Sequence, residues 1–342
     1  MTYSVPKAMV PLLNRPFLAH MLTWLARHEV TDVVLSTYYM PEAIENYFGR
    51  GEAFGLRVSY VQEREPLGTG GAIKNCEALL TGGELFLVLN GDILSSLDLR
   101  AMRRSHLRRG AQVTLSLKRV ADPTRFGVVE TDRDGRVRRF VEKPPPDQIT
   151  SHYINAGVYI FSPELLSEMP PGRFSLEREF FPVLLEQGRP VFSHRIRSYW
   201  LDVGTADSYR QAHWDSLDGK TGLTPAGGEL RPGVWTGPDT RLDAPIEIKP
   251  PVVLGARCSV SARASLGPYC VLGDDVTVET GAHISRSVVW SGCRIGEGSS
   301  ITDSIIGCDH QIPPSSTLHG EALGEKQSGP SSLGGKNEQT AG

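Results

Sequence analysis

The sequence predicts an α/β domain followed by a parallel β-helix within one chain of 342 residues. Residues 1–217 alternate helical and strand patterns, which is typical of an α/β layer built on a mostly parallel sheet. Residues 254–318 repeat an aliphatic side chain with a period of six, which indicates one flat face of a parallel β-helix per repeat. Residues 218–245 are rich in Gly, Pro, Thr and Asp and predict a linker between the two parts.

Local patterns predict two helices and a hairpin in the first part. Residues 16–28 form an amphipathic helix, because Phe17, Met21, Trp24 and Leu25 recur at helical spacing. Residues 209–217 predict a second helix with mixed faces. The turn sequence at 132–135 lies between two short apolar runs, at 128–130 and 137–140, and predicts a hairpin.

Two short apolar runs predict strands of the central sheet, one at 32–36 and one at 86–89. Continuous apolar strands belong in a sheet that is covered on both faces. The second strand leads directly into Asn90-Gly91-Asp92. Ligands in such sheets bind beyond the carboxyl ends of the strands, so Asp92 is placed where a ligand is expected.

The sixfold repeat predicts the second architecture. Its aliphatic positions are Leu254, Val260, Leu266, Leu272, Val278 and Ile284, then, after a slip of one residue, Val289, Ile295 and Ile301, and after another slip Ile306, Ile312 and Leu318. This pattern resembles the hexapeptide repeats of left-handed β-helices and predicts three to four triangular coils over residues 246–320. Cys258, Cys270 and Cys293 occupy the small interior position, so they are expected to be packing residues. The Gly- and Ser-rich tail at 321–342 is expected to be disordered.

Composition and charge restrict the class of protein. The hydrophobic content of 39% and the charged content of 22% are ordinary for a soluble globular protein. The net charge of −3 gives no reason to expect a nucleic acid or a membrane as a partner. No apolar run reaches the roughly 18 residues of a membrane span. Five cysteines without a C-x-x-C pair argue against a disulfide framework or a structural zinc site, so a cytoplasmic location is expected.

Five blocks in residues 1–217 have residue types suited to a phosphorylated ligand. They are Gln62–Asn75 (QEREPLGTGGAIKN), Asn90-Gly91-Asp92, Phe140–Pro144 (FVEKP), Ile154–Tyr159 (INAGVY) and Tyr199–Thr205 (YWLDVGT). A Gly-rich turn that enters a helix lets backbone groups approach a ligand closely. A carboxylate at a strand end can hold Mg²⁺ while phosphates supply the other ligands. Taken singly, each block could be an ordinary connection, a turn cap, an exposed ion pair or a strand bulge.

Together and in this order, the five blocks resemble those of the sugar-1-phosphate nucleotidyltransferases. The resemblance implies a Rossmann-like nucleotidyltransferase domain that combines a nucleoside triphosphate with a sugar 1-phosphate to give an NDP-sugar and pyrophosphate. Residues 175–182 also resemble the S-x-E-x-x-x-F-P segment of mannose-1-phosphate guanylyltransferases. This favours GTP and mannose 1-phosphate, with GDP-mannose as the product, over thymidylyl or uridylyl transfer to glucose 1-phosphate.

The resemblance also implies a role for each site residue. Four are catalytic: Lys7 contacts the triphosphate, Asp92 and Asp202 hold Mg²⁺, and Lys143 pairs with the sugar phosphate. The substrate-binding residues are Gln62, Gly68, Thr69, Gly70, Gly91, Glu142, Asn155 and Gly157. The residues of the segment 62–75 in this set cup the nucleobase, whereas Glu142, Asn155 and Gly157 bind the sugar. Catalysis of this kind depends on positioning and charge neutralisation rather than on a covalent intermediate.

The beginning of the chain departs from the family pattern. Thr2 and Pro6-Lys7 fit the end of the opening signature, G-G-x-G-T-R-L-x-P-L-T followed by P-K-P, and its Gly-rich start has no counterpart here. The domain is therefore expected to lack its first strand and the loop that cradles the triphosphate, which puts the activity of this chain in doubt. Met1 stands where the signature has Leu, which suggests an internal TTG or CTG codon taken as a start and a protein that begins upstream.

Two other classes of function compete with this interpretation. One is a non-catalytic family member that binds sugar nucleotides or regulates an active partner subunit. The other is an acyltransferase that uses the hexapeptide coils, which is disfavoured because no His in 254–318 has a recognisable catalytic setting. The presence of both Asp92 and Asp202 favours the enzyme. Domains with such coils commonly pack against a neighbour, so a homo-oligomer through the β-helix is compatible with the sequence.

Overall fold

The structure of the protein, a computed structural model, describes residues 5–324. It divides into two compact units, with the boundary between Ala226 and Gly227. The proposed start at Met1 and the neighbouring Thr2 lie outside the described residues, as does the predicted disordered tail from residue 325 onwards. No helix within the described range is long and apolar enough to cross a membrane.

The first unit alternates helices and strands, as predicted. Its α-helices are α1 (Phe17–Arg27), α2 (Pro41–Phe48), α3 (Gly68–Asn75), α4 (Glu77–Leu80), α5 (Leu99–Arg108), α6 (Phe181–Glu186) and α7 (Ala206–Leu217). Its strands are β1 (Pro11–Leu12), β2 (Arg15–Pro16), β3 (Asp32–Thr37), β4 (Arg57–Gln62), β5 (Phe86–Leu89), β6 (Ile93–Ser95), β7 (Val113–Arg119), β8 (Gly127–Thr131), β9 (Val137–Glu142), β10 (Tyr153–Phe161), β11 (Val191–Arg195) and β12 (Trp200–Asp202). The helices predicted at 16–28 and 209–217 are α1 and α7. The second begins earlier than predicted, because Thr205 and Ser208 form a capping box.

The main sheet of this unit is mostly antiparallel, so the prediction of a mostly parallel sheet was wrong. Its strand order is β11-β7-β10-β8-β9, with β5 also paired to β10. Within this sheet only β11 and β7 run parallel. The hairpin predicted at 132–135 joins β8 to β9, and a short turn of this kind connects only antiparallel strands. Apolar runs indicate where strands lie, but they carry little information on strand direction.

The strands β3 and β4 form a separate two-stranded parallel sheet. We expected the run at 32–36 to be covered on both faces, whereas Val33–Leu35 are only half-buried. Among the described strands, β3 pairs with β4 alone, which leaves its other edge without a strand neighbour. The incomplete coverage follows from this isolation.

The core of the first unit is built on the aromatic side chains of β10 and the helices that cover it. Tyr159 and Phe161 are fully buried, as is Phe181 at the start of α6. The Phe161 ring stacks on Phe86 of β5 with 5.4 Å between the centroids. Tyr159 lies 5.5 Å from the Phe181 ring. This packing fixes β10, which carries Asn155 and Gly157, two of the three predicted sugar-binding residues.

The second unit is a parallel β-helix with three faces. The first face contains β13 (Gly228–Arg231), β14 (Val234–Thr236), β17 (Val252–Leu254), β20 (Cys270–Leu272), β23 (Ser287–Val289), β26 (Ile305–Ile306) and β29 (Ala322–Leu323). The second contains β15 (Arg241–Leu242), β18 (Ser259–Val260), β21 (Thr277–Val278), β24 (Arg294–Ile295) and β27 (Gln311–Ile312). The third contains β16 (Glu247–Ile248), β19 (Ser265–Leu266), β22 (His283–Ser285), β25 (Ser300–Thr302) and β28 (Thr317–His319).

The register of the first face explains the slips in the sixfold repeat. Val252 pairs with Cys270, 18 residues on, whereas Cys270 pairs with Ser287, 17 residues on. The coils after β20 are therefore one residue shorter, and the missing residue appears in the sequence as a change of phase. The aliphatic side chains nevertheless stay inside, since Leu254, Leu272 and Ile306 are all 0% exposed.

The β-helix is longer than predicted at both ends. Val234 is fully buried on β14, inside the stretch that we predicted to be a linker. Turn residues there, such as Pro238 and Asp239, form corners of the first coil, and corner residues have the same composition as a linker. At the other end β29 lies within the predicted tail and pairs with β26. Faces of five to seven strands make about five coils rather than three to four.

The three interior cysteines are confirmed as packing residues. Cys258, Cys270 and Cys293 are at most 1% exposed and free of disulfides. Burial raises the pKa of Cys258 to about 11 and that of Cys293 to about 12. These thiols are therefore protonated and poorly reactive at neutral pH.

Candidate functional site

Two acidic side chains from different blocks meet in the first unit. Asp92 lies in the turn between β5 and β6, and Asp202 ends β12. Because β12 pairs antiparallel with β6, Asp202 lies opposite Ile93, and the amide of Val203 donates to the Asp92 carbonyl at 2.9 Å. Burial, and after it the charge of Asp92, raises the pKa of Asp202. The fold therefore brings the two predicted metal ligands together.

Cations surround this acidic pair. The Lys7 ammonium lies 2.5 Å from Oδ2 of Asp92. The charges of Lys7 and Arg125 both lower the pKa of Asp202, which partly offsets its rise. The sequence pattern did not single out Arg125, because an Arg in a loop carries no spacing signal. Lys7, predicted to bind the triphosphate, thus lies beside the predicted metal site.

The acidic pair is suited to a divalent cation. Oδ1 of Asp202 is buried and has no well-aligned hydrogen-bond partner in the described range, although the Gly204 backbone amide lies near this carboxyl and lowers its pKa. An unpartnered buried carboxylate oxygen is costly unless a further group satisfies it. No group of three His, Cys, Asp or Glu side chains that could hold a metal occurs between residues 5 and 324. Two carboxylates match Mg²⁺, which binds proteins through one or two of them and takes its remaining oxygens from phosphates and water.

The two halves of the FVEKP block differ in exposure. Glu142 ends β9 and is half-buried, whereas Lys143 is exposed in a left-handed conformation with φ 48°. The Lys143 amide is held by the Phe126 carbonyl at 3.1 Å. Burial, and then the charge of Glu177, raises the pKa of Glu142. The block therefore presents a carboxyl group in a partly dry setting next to an exposed cation, a combination suited to a phosphorylated sugar.

A bulge in β10 joins the INAGVY block to the turn at residues 90–92. The pairing of β10 with β7 shifts between Asn155 and Tyr159, and Gly157 within the bulge has φ 72°. Its carbonyl accepts a hydrogen bond from the Asn90 amide at 2.9 Å. A Cβ atom at Gly157 would lie 2.9 Å from Nδ2 of Asn90. Glycine is therefore required here by contact with protein, and Asn90, which we did not predict as a site residue, belongs to the site.

The glycines of the Gly-rich turn also pack against protein. A Cβ atom at Gly68 would lie 2.7 Å from the Phe174 carbonyl oxygen, and one at Gly70 would lie 2.1 Å from the Phe174 ring. The Gly70 amide donates to the same carbonyl at 3.1 Å. The sequence pattern suggests that these glycines allow close approach of a ligand. Their observed neighbour is the segment around Phe174, and contact with a nucleobase remains a prediction.

A cavity of about 650 Å³ opens where β3 and β4 end. Its lining residues are Tyr38, Tyr39, Gln62, Glu63 and Arg64. The location matches the general rule that ligands bind beyond the carboxyl ends of parallel strands. It includes Gln62, the predicted reader of the base, but neither member of the acidic pair. Gly91, the remaining predicted residue, is exposed in the turn at residues 90–92.

Comparison with known protein families gives one match for each of the two units. The nucleotidyl transferase family pattern matches residues 1–219. The pattern described as the GMPPB C-terminal domain matches residues 248–328. The two matches correspond to the α/β unit and to most of the β-helix.

Individual proteins show the same relationship. A mannose-1-phosphate guanylyltransferase of Mycobacterium tuberculosis is 38% identical over 88% of this chain and 78% of its own length. A UTP–glucose-1-phosphate uridylyltransferase of Synechocystis is 30% identical over 89% of this chain and 82% of its own length. The crystal structure of HddC from Yersinia pseudotuberculosis superposes with a TM-score of 0.56 at 29% identity, over 63% of this chain and 92% of that one.

Proposed function

Since this chain belongs to the nucleotidyl transferase family, we propose that it transfers a nucleotidyl group from GTP to mannose 1-phosphate. In this reaction a phosphate oxygen of the sugar attacks the α-phosphorus of GTP. The bond from that phosphorus to the bridging oxygen of the β-phosphate breaks, and pyrophosphate leaves. The products are GDP-mannose and pyrophosphate.

The observation that carries the proposal is the meeting of Lys7, Asp92 and Asp202. Three residues from distant parts of the chain form one cluster, with 2.5 Å between Lys7 and Asp92. The unpartnered Oδ1 of Asp202 lies in the same place. The Lys7–Asp92 ion pair alone does not account for the buried Oδ1 of Asp202, so the cluster is better explained as a site for a cation and phosphates.

The residues around the cluster have distinct tasks in this reaction. Asp92 and Asp202 would hold Mg²⁺, which neutralises charge on the α-phosphate when it is bound. Lys7 exchanges its contact with Asp92 for the triphosphate. Lys143 draws the attacking phosphate into place, and Glu142 accepts hydrogen bonds from sugar hydroxyls. Positioning and neutralisation together lower the barrier without a covalent intermediate.

The choice of guanosine and mannose rests on the relatives and on one segment. The mycobacterial relative is a mannose-1-phosphate guanylyltransferase, and one solved HddC structure is described as complexed with GMP-PN. Residues 175–182 also carry the S-x-E-x-x-x-F-P pattern of that enzyme class. Uridylyl transfer to glucose 1-phosphate is the second candidate, because the Synechocystis relative has that activity in its name.

A pyrophosphate-release assay tests the proposal. GTP, UTP and dTTP are each paired with mannose 1-phosphate and glucose 1-phosphate in the presence of Mg²⁺. We expect the largest kcat/KM for GTP with mannose 1-phosphate. The assay is run on this chain and on a form extended upstream in the reading frame. Preference for UTP and glucose 1-phosphate would overturn the substrate assignment. Substrate binding without turnover in both forms would favour the non-catalytic alternative.

Asp202→Asn is the matched inactive variant. It keeps the shape of the side chain but removes a charge that the site is proposed to use for Mg²⁺. We expect turnover to fall by at least about 100-fold, which is the size of the loss when a charge-stabilising group is removed from an active site. The melting temperature should stay unchanged or rise, since the pKa of Asp202 is raised and its ionised form is therefore disfavoured in the folded state. Full activity in this variant would contradict the proposed metal site.

A further inference from the structure

A chain of hydrogen bonds connects the Gly-rich turn to the predicted sugar-binding strand through Glu177. Oε2 of Glu177 accepts from the Thr69 hydroxyl at 2.5 Å and from the Ser175 hydroxyl at 2.9 Å. Its Oε1 accepts from the Tyr159 hydroxyl at 3.3 Å. The Tyr159 oxygen in turn accepts from Nδ2 of Asn155 at 2.6 Å. One carboxylate therefore joins three blocks of the sequence.

The chain continues from Asn155 to the acidic pair. Oδ1 of Asn155 accepts a hydrogen bond from the Gly157 amide at 3.2 Å. The Gly157 carbonyl holds the Asn90 amide at 2.9 Å, and Asn90 lies two residues before Asp92. The Gly-rich turn, β10 and the turn at residues 90–92 are thus linked by a continuous series of hydrogen bonds.

The protonation state of Tyr159 fixes which groups donate and which accept hydrogen bonds along this series. Tyr159 is fully buried, and burial followed by the charge of Glu177 holds its pKa well above 10. The phenol therefore keeps its proton, donates it to Glu177 and can only accept from Asn155. This fixes the Asn155 amide with Nδ2 towards Tyr159 and Oδ1 towards Gly157.

The hydrogen bonds to Glu177 also orient the hydroxyl groups at the other end of the series, next to the Gly-rich turn. A carboxylate only accepts hydrogen bonds, so the hydroxyls of Thr69 and Ser175 must both donate to it. Thr69 then accepts from the Leu176 amide at 3.0 Å, and Ser175 accepts from the Arg178 amide at 3.2 Å. The Gly-rich turn is thereby attached to the segment that carries Glu177.

We propose that Glu177 is a positioning residue that holds the Gly-rich turn through Thr69 and Asn155 through Tyr159 in one geometry, so that nucleotide and sugar phosphate bind cooperatively. The identity of the two ligands rests on the function proposed above. Such coupling is expected because the network is anchored at the fully buried Tyr159 and its half-buried members hold one another in place, so ordering one end by a ligand lowers the cost of ordering the other. Coupling between two ligands typically changes affinity about 5- to 150-fold.

Two variants and one control test this relay, that is, the series of hydrogen bonds from Thr69 through Glu177 and Tyr159 to Asn155. Tyr159→Phe removes the central hydroxyl and leaves the bonds of Glu177 to Thr69 and Ser175 available. Glu177→Gln is nearly isosteric and removes the charge, which makes it the second variant if Tyr159→Phe fails to fold. Glu186→Gln is the control, because Glu186 is exposed at the end of α6.

The first measurement is calorimetric binding of mannose 1-phosphate, with and without the α,β-methylene analogue of GTP and Mg²⁺. In the wild type we expect the analogue to tighten sugar-phosphate binding. The gain should shrink at least threefold in both variants and persist in the control. If Glu177→Gln weakens mannose 1-phosphate equally with and without the analogue, and Tyr159→Phe changes nothing, Glu177 is a direct sugar ligand and the proposal is overturned.

The second measurement needs no ligand. The amides of Gly70 and Gly71 donate to the Phe174 carbonyl at 3.1 and 3.3 Å, and their hydrogen exchange reports on the turn. Both variants should speed this exchange at least fivefold relative to the control, although Tyr159 is not among the groups bonded to those amides. Unchanged exchange in a folded Tyr159→Phe protein would refute the relay. If the wild type bound neither ligand, the proposed function would fail, and the exchange result would still decide on the relay.

Discussion

At the scale of single residues, glycines near the site serve different purposes. Gly157 has a positive φ and its hydrogen faces Asn90 so closely that no Cβ atom fits. Gly70 is held against the Phe174 ring. Gly91, between Asn90 and Asp92, has no protein atom within 4 Å of a Cβ position and does not have a positive φ. Neither packing nor backbone conformation therefore requires glycine at 91, which agrees with the proposal that this turn contacts substrate.

This contrast gives a paired prediction. Gly157→Ala should lower the free energy of unfolding by about 1–3 kcal/mol, because a left-handed conformation and a close contact are both strained. Gly91→Ala should change stability by less than about 0.5 kcal/mol, as surface substitutions generally do, but should lower kcat/KM at least tenfold. Urea denaturation and the pyrophosphate assay measure the two effects. An active Gly91→Ala enzyme would show that the turn does not contact substrate.

At the scale of elements, α1 and α7 pack buried histidines near β1. His20 of α1 contacts the Leu12 carbonyl at 2.8 Å and is 5% exposed. His213 of α7 is fully buried and lies 4.8 Å from the Tyr209 ring, and the Tyr209 hydroxyl donates to the Pro11 carbonyl. Burial lowers the pKa of His20 to about 4 and that of His213 to about 3. Both imidazoles are therefore neutral in the folded protein.

Stability should consequently fall as the pH is lowered from about 6.5 towards 4. In this window the unfolded chain binds protons at these histidines and the folded chain does not, so each costs about 1.4 kcal/mol per pH unit. The lowered pKa values of His106 and His194 act in the same direction. Urea denaturation at pH 7 and pH 5 should show a loss of about 2–4 kcal/mol. Equal stability at the two pH values would contradict the burial of these side chains.

The coils of the β-helix predict a pattern of thiol reactivity. Cys76 and the three interior cysteines are buried, whereas Cys308 is only partly covered. A disulfide reagent at pH 8 should modify Cys308 first, and the other four only after unfolding, because thiolate formation and access are both required. Peptide mapping of the labelled protein identifies the order. Rapid labelling of Cys258, Cys270 and Cys293 in the native protein would refute the register of the coils.

At the scale of the whole molecule, the two units have separate cores. The interior of the β-helix is supplied by residues of its own coils, from Val252 to Ile312. A large cluster of buried residues in the first unit, from Ile73 to Val191, is formed by that unit alone. Each coil contacts mainly its neighbours, so the second unit has the interactions that it needs for independent stability.

Residues 227–342 expressed alone should therefore fold. We expect a circular dichroism spectrum of β structure and a cooperative urea transition, because stacked coils stabilise one another. Val278→Asp is the matched negative control, since Val278 is fully buried in the interior and an unpaired charge there is costly. A fragment as disordered as this variant would mean that the β-helix depends on the first unit.

The sequence by itself determined the features that repeat or cluster locally. The sixfold series predicted the β-helix and the burial of its cysteines, because one short period fixes which side chains point inward. Helical spacing predicted α1 and α7, and the turn at 132–135 predicted the hairpin. The five blocks identified the family, which the comparisons confirmed. The ends of the β-helix were missed, since corner residues of a coil and residues of a linker have the same composition.

Only the tertiary structure decided which distant residues meet. Strand pairing brings Asp202 beside Asp92, and the bulge at Gly157 places Asn90 against β10. In the sequence, Glu177 is only one position of the S-x-E-x-x-x-F-P pattern. Its hydrogen bonds to Thr69 and Tyr159 depend on the fold. Local periodicity determines which face of an element is buried. Strand direction, pairing partners and side-chain networks depend on contacts across many residues, which a single sequence does not encode in any local pattern.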